Sequence, residues 1–213
     1  MPVRPDVLLL IGTAKGLFLL DATGALKTAF ASGASVPAVA FDARRRRILA
    51  GKTSFFWGTG VTYSDDLGDT WLEPEAPNLR FPEDIQATLK QAWQIAPGTA
   101  REPDVVYVGA EPASLFRSTD AGQTFELVRG LWDHPHRPAW QPGGGGLCLH
   151  TILPDERDPD KLTVAISTGG VYRSDDAGQS WRPSNTGIRA DFMPEDQRYP
   201  EYVSAFTRSP VTR

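Results

Sequence analysis

Between Leu131 and Gly146 the chain reads "LWDHPHRPAWQPGGGG", a stretch that holds Trp132, Asp133, His134, His136, Arg137, Trp140 and Gln141. Two of the three histidines and two of the six tryptophans fall there, which makes it the densest collection of side chains able to bind or react. Aromatic faces beside a few polar groups suit a sugar or another small polar ligand, since the rings bury apolar surface while the polar groups fix orientation. Lys15, Trp57, Glu111 and His150 are further candidates to converge with it. Glu111 paired with Asp133 or Asp191 would be the two carboxylates that glycoside hydrolysis requires. The equal alternative is a proline-rich loop pinned by buried aromatics. His134 and His136 stand two apart around Pro135, poor geometry for one metal ion. The glycines at 143–146 make no phosphate cradle, because no Lys-Ser/Thr follows them. Neither a metal nor another cofactor is expected.

A second pattern also carries carboxylates and hydroxyls. Ser64, Asp66, Gly68, Thr70 and Trp71 recur as Ser118, Asp120, Gly122, Thr124 and Phe125, and again as Ser174, Asp176, Gly178, Ser180 and Trp181. The copies lie 54 and 56 residues apart, and a worn one precedes them, with Gly24 standing 44 residues before Gly68. A calcium loop would want a Glu near its twelfth position, and twelve residues counted from Asp175 end on Thr186. The phrase reads better as a tight hairpin. Its glycine supplies positive φ, its Asp accepts from backbone N–H groups that the turn leaves unpaired, and its aromatic wedges into apolar space.

These residues must be positioned by strands. Before the boxes come the apolar runs "VLLLIG", "RILAGK", "DVVYVGA" and "KLTVAIS". Ahead of the last three of these come "VPAVAFDARR", "AWQIAPGTAREPD" and "LCLHTILPDERDPD". All are short, rich in β-branched and aromatic residues, and bounded by Gly, Pro and Asp. Each unit thus has four antiparallel strands, and units of about 45 to 55 residues are the arithmetic of β-propeller blades. The expected fold is an all-β propeller of about four blades, over 7–30, 36–75, 91–128 and 147–185, in a single domain or partial propeller spanning 1–213. The first unit lacks its innermost strand, and 201–210 reads as one further strand. The only candidate helix is a short one around "PEDIQATLKQ".

Composition closes off other classes. With 40% apolar and 23% charged residues the chain is an ordinary globular one. A net charge of −4 favours no nucleic-acid partner. The basic run Arg44–Arg47 reads as a solvated turn. Cys148, the single cysteine, excludes an internal disulfide and reads as a buried structural thiol. The N-terminal apolar run is too short for a signal-peptide core, and nothing approaches a membrane span, so a cytoplasmic location is expected by default. Oligomeric state is not readable.

The boxes resemble the Asp-box, or BNR, repeat of sialidases, sortilin-type receptors and related propellers. More narrowly, "VLLLIGTAKGLFLL", "GAEPASLFRSTDAGQTF" and the segment from "WQPGGGG" to "GQSWRP" are similar to bacterial sialidase-like YVTN/BNR-repeat proteins. That resemblance covers the chain up to about Glu201, and it implies a ring of about six to eight blades, longer than this chain supplies. Sialidase chemistry would need three arginines, a Tyr nucleophile paired with a Glu, and a separate Asp. Only Arg4 precedes the Arg44 run, and none of Tyr63, Tyr107, Tyr172, Tyr199 or Tyr202 has a Glu placed by motif. The expected function is therefore binding of a protein or a small polar, carbohydrate-like ligand on the loop-rich central face. The alternatives are a glycoside hydrolase and a fragment without independent function.

Overall fold

The computed structural model describes residues 7–31, 34–54 and 58–188. Trp57, Asp191, Tyr199, Tyr202 and the expected strand at 201–210 lie outside the described residues.

The described chain is all-β, with four antiparallel sheets in succession. The first sheet holds β1 (Val7–Thr13), β2 (Gly16–Asp21) and β3 (Leu26–Ala31), and the second holds β4 (Ala34–Asp42), β5 (Arg47–Ser54) and β6 (Gly58–Ser64). The third holds β7 (Gln91–Pro97), β8 (Val106–Glu111), β9 (Ser114–Ser118) and β10 (Glu126–Leu127). The fourth holds β11 (Leu149–Asp155), β12 (Asp158–Ile166), β13 (Gly170–Ser174) and β14 (Arg182–Pro183). Every strand pairs with its sequence neighbour, so each sheet is a meander, and the four are blades of a β-propeller.

Two sheets depart from four strands. The outermost strand of the second is reduced to one bridge, Tyr63 to Leu72. In the first, β1 corresponds to β5, β8 and β12, and among the described residues no strand pairs with its inner edge. The box aromatics sit just before β10 and β14 rather than inside them, because those strands are only two residues long.

Strand alternation explains how the blades stack. Successive side chains point to opposite sheet faces, so Ile48 and Ala50 face the first sheet while Leu49 faces the third. Val106 and Val108 likewise face the second sheet, and Tyr107 faces the fourth. All six residues of β8 are consequently buried. The box aromatics wedge against the preceding blade: Trp71 meets Phe30 edge-on at 5.1 Å, and Phe125 and Trp181 join the next two inter-sheet cores. Where β1, β5 and β8 cross the inner strand of the next sheet, the residue is glycine. A Cβ on Gly12, Gly51 or Gly109 would lie 2.4, 2.9 and 2.4 Å from Val36 O, Ala92 Cβ and Leu149 O.

Two segments differ from expectation. "PEDIQATLKQ" forms no helix, because Ile85 and Leu89 pack from an extended path onto the core between the second and third sheets. Residues 43–46 form a turn with Arg45 and Arg46 exposed, but Arg44 and Arg47 at its two ends clamp those sheets together. Arg44 pairs with Asp42 and donates to the carbonyls of Thr99, Glu102 and Val105. Arg47, buried, pairs with Asp65, donates to Ala121 O at 2.8 Å and lies 3.8 Å over the Tyr63 ring. Among the described residues no helix is long and apolar enough to cross a membrane.

Candidate functional site

In a meander the connections emerge alternately at the two ends of the sheet. The turns between first and second strands share one face with the boxes. The turns between second and third strands share the other face with the long inter-blade links, and the clustered side chains belong to that loop face.

The boxes are closed by their own residues. In the first, the Ser64 hydroxyl donates to Asp66 Oδ1 at 2.8 Å and accepts from the N–H of Gly68 at 2.7 Å. Asp66 then accepts from the N–H groups of Asp69 and Thr70 and from the Thr70 hydroxyl. The same bonds recur around Ser118 and Asp120, and in all but one instance around Ser174 and Asp176. Gly68, Gly122 and Gly178 sit at φ +88°, +91° and +91°, where glycine costs least. The Thr70 side chain, followed by its N–H, holds the Asp66 carboxyl down to about 2, and Ser180 does the same for Asp176. Burial pushes Asp120 upward, but bonds from Thr124 and Ser118 outweigh it and its pKa is lowered. The carboxylates are occupied as turn acceptors, and among the described residues no group of His, Cys, Asp or Glu is placed to hold a metal ion.

On the loop face Glu111 ends β8 and is 7% exposed. Its Oε1 pairs with Lys90 Nζ at 2.8 Å, and its Oε2 accepts from Trp93 Nε1 at 3.2 Å. The glycine run closes over it through a turn in which Gly146 N–H donates to Gly143 O. A Cβ on Gly146 would lie 2.6 Å from Glu111 Oε1. Cys148 is buried close by, and burial, then the Glu111 charge, raise its thiol pKa.

The rest of the dense segment folds inward. Its first part is a short helix, α1 (Arg129–Trp132), and a single 3₁₀ turn spans Arg137–Ala139, with Pro138 fitting the first turn, where no N–H is needed. Trp132 packs on Phe81 at 4.7 Å. Arg137 lies 3.4 Å from the Trp132 ring centre and donates to Ala113 O at 2.6 Å; burial holds its guanidinium down to about 10 against the pull of Asp133. Trp140 is 3% exposed, with its Nε1 donating to the Tyr172 hydroxyl at 3.0 Å, and His136 Nδ1 lies 3.1 Å from that oxygen. Burial pushes the Tyr172 hydroxyl up to about 12. His134 packs edge-on to Tyr172, and burial, then His136, lower its pKa.

Arg137, His134 and Trp140 are thus used between the third and fourth sheets, Glu111 is held by Lys90 and Trp93, and Trp132 packs on the core between the second and third sheets. Lys15, Asp133, Gln141 and His150 stay exposed. The Lys15 N–H donates to Thr13 Oγ1, the Gln141 carbonyl accepts from the Thr168 hydroxyl, and His150 Nδ1 lies 2.9 Å from Thr151 Oγ1. Asp133 caps α1 and is not joined to Glu111 by any hydrogen bond among the described residues. Lys90 and Trp93, which complete the Glu111 site, were not anticipated: Lys90 falls where the sequence suggested a helix, and Trp93 reads as an ordinary strand aromatic. Two grooves lie elsewhere. One of about 400 Å³ follows the outer rim between the third and fourth sheets, beside Arg117, Arg129 and Gln179. Another of about 280 Å³ adjoins Lys52, Ser54 and Glu73.

No protein-family model and no curated protein matches this chain. Solved structures do. A GH74 xyloglucanase from Xanthomonas campestris is 12% identical with a TM-score of 0.56, over 81% of this chain and 27% of that one. An ancestral GH74 enzyme is 13% identical with a TM-score of 0.55, over 86% and 23%. YCF48 from Cyanidioschyzon merolae is 16% identical with a TM-score of 0.49, over 86% and 57%. The chain therefore spans between about a quarter and three-fifths of the length of these structures. At such identities the likeness is one of fold.

Proposed function

We propose that this chain is a non-catalytic propeller of the Asp-box type that binds a protein or a small polar, carbohydrate-like ligand on its loop face. The observation that carries this reading is the state of Glu111. A carboxylate that is paired with Lys90, bonded to Trp93 and covered by Gly146 is poorly placed to shuttle a proton or attack a sugar. Sialidase-type chemistry finds equally little support, since Tyr107 and Tyr172 are buried and Tyr63 stacks under Arg47 near the boxes. The GH74 likeness is a fold-level argument, and one fold hosts many functions. Exposed groups ringing the loop face, Lys90, Gln141 and His150 among them, are those left to meet a partner.

The test has two arms. Against a broad panel of aryl glycosides and sialosides the protein is expected to show no turnover; turnover abolished by Glu111→Gln would replace this reading with a hydrolase. On glycan and peptide arrays, binding is expected to weaken in Lys90→Glu and His150→Ala, and a ligand held equally well by both variants would remove the loop face as the site.

A further inference from the structure

Among the described residues four arginines are buried or half-buried: Arg44, Arg47, Arg117 and Arg137. Three of them are matched by a carboxylate at ion-pair distance, Arg44 by Asp42, Arg47 by Asp65 and Arg117 by Glu102. Arg137 makes no ion pair among the described residues. Its Nη1 donates to a neutral acceptor, Ala113 O, at 2.6 Å. Asp133, exposed on the same link, is near enough for its charge to pull the Arg137 pKa upward, but burial outweighs it. A half-buried cation without a counter-charge is costly, and an anion brought to it relieves that cost.

Arg47 shows what such a group holds when its contacts are complete. Its guanidinium lies 3.8 Å over the Tyr63 ring, Nη1 donates to the carbonyl of Ala121, and Nε and Nη2 take the two oxygens of Asp65 at 2.6 and 2.7 Å. Arg44 repeats the last two of these, with Nη1 on carbonyls and Nε and Nη2 on the oxygens of Asp42. Arg137 has the first two: it lies 3.4 Å from the Trp132 ring centre, and its Nη1 is on a carbonyl. Trp132 is backed by Phe81, which fixes the platform. Nε and Nη2 of Arg137 make no hydrogen bond within the described residues, and neither atom is buried, so this edge opens to solvent.

We infer that Arg137 is a carboxylate-binding site on the loop face, where Nε and Nη2 take the two oxygens of an acidic side chain on a protein partner, as Arg47 takes those of Asp65. This rests on the loop-face reading above and gives its ligand a chemistry. A carboxylate is flat and meets the guanidinium edge through two parallel hydrogen bonds, which adds direction to charge. The setting favours a protein over a free acid. Neither of the two grooves includes Arg137, so a small molecule would meet little besides the two donors. A polypeptide can also cover the exposed Pro135, Pro138 and Ala139 on either side of it. Asp133 opposes binding by repelling the incoming charge.

Fluorescence anisotropy of a labelled, amidated peptide of Gly-Glu repeats, titrated with the whole chain at fixed low ionic strength, tests it. A Gly-Gln peptide of equal length is the neutral control. Saturable binding is expected for the acidic peptide, at least about tenfold tighter than for the neutral one. Arg137→Gln should lose about the same factor, and Arg137→Lys should not restore it, since an ammonium keeps the charge but not the paired donors. Asp133→Asn, on an exposed side chain that folding does not need, should tighten binding about twofold to fivefold. Thermal unfolding serves as the folding control. Equal binding of both peptides, a folded Arg137→Gln that binds as before, rescue by Arg137→Lys, or no gain in Asp133→Asn would each overturn the site. So would glucuronate, a free sugar acid, binding at lower concentration than the peptide. Binding lost in Lys90→Glu but kept in Arg137→Gln would overturn this site and leave the loop-face reading in place.

Discussion

The two faces of these blades solve the same problem in opposite ways. On the box face the three boxes close themselves: Ser118 and Asp120 satisfy N–H groups no more than four residues away, and the same bonds serve Ser64 and Ser174. On the loop face no two connections are alike, and partners come from far along the chain, as with Lys90 on Glu111 or Trp140 on Tyr172. Local closure can be copied from blade to blade. Long-range closure cannot, and it leaves a surface that can differ in every blade.

The difference should show in what single substitutions cost. Trp140→Ala removes a ring buried against Tyr172 and His134 and is expected to lose about 3–5 kcal/mol in chemical denaturation. A loss under about 1 kcal/mol would show the loop to be loosely attached rather than core. Ser118→Ala leaves the buried Gly122 N–H without its acceptor, for an expected loss of about 1–3 kcal/mol. If it instead matched Trp140→Ala, the boxes would not be autonomous.

Acid should take the faces apart in order. The folded pKa of His134 is lowered, so its contribution is present above the unfolded value of about 6.5 and fades as pH falls through the folded one. Asp66 and Asp176, folded near 2, contribute above the ordinary carboxylate range and lose that contribution only as pH falls from about 4 towards 2. Tryptophan fluorescence should therefore change first near Trp140, at mildly acid pH, and that early step should vanish in His134→Asn. A single transition below pH of about 4 in both proteins would remove the ordering. The smallest effect is expected at Lys27, whose exposed pairing with Asp69 and Gly68 O links the first two blades; Lys27→Ala should cost about 0.2–1 kcal/mol, measured as above.

The same contrast governs what was legible in advance. The blades could be read because the boxes repeat and because apolar alternation marks strands such as "KLTVAIS". Gly68 holds a positive φ, Asp120 accepts from the Thr124 N–H, and Trp181 is buried. The loop face was harder. A segment holding Trp132, His134, Arg137 and Trp140 advertises a ligand pocket in its composition, yet these side chains pack on one another and on Tyr172, some thirty residues later, which no local pattern announces. Lys90 and the Arg44–Arg47 clamp were missed for the same reason: their partners, Glu111 and the carbonyls of Thr99 to Val105, are chosen by blade stacking.

One buried atom turns the loop face into something that can be timed. Cys148 is the only sulfhydryl in the chain, buried two residues after the glycine turn that covers Glu111, and its raised pKa keeps it largely protonated at neutral pH. A disulfide reagent can reach it only when the structure around it opens. The rate of labelling, followed against reagent concentration, then reads how often the loop face opens, with the box hairpins silent in the same trace.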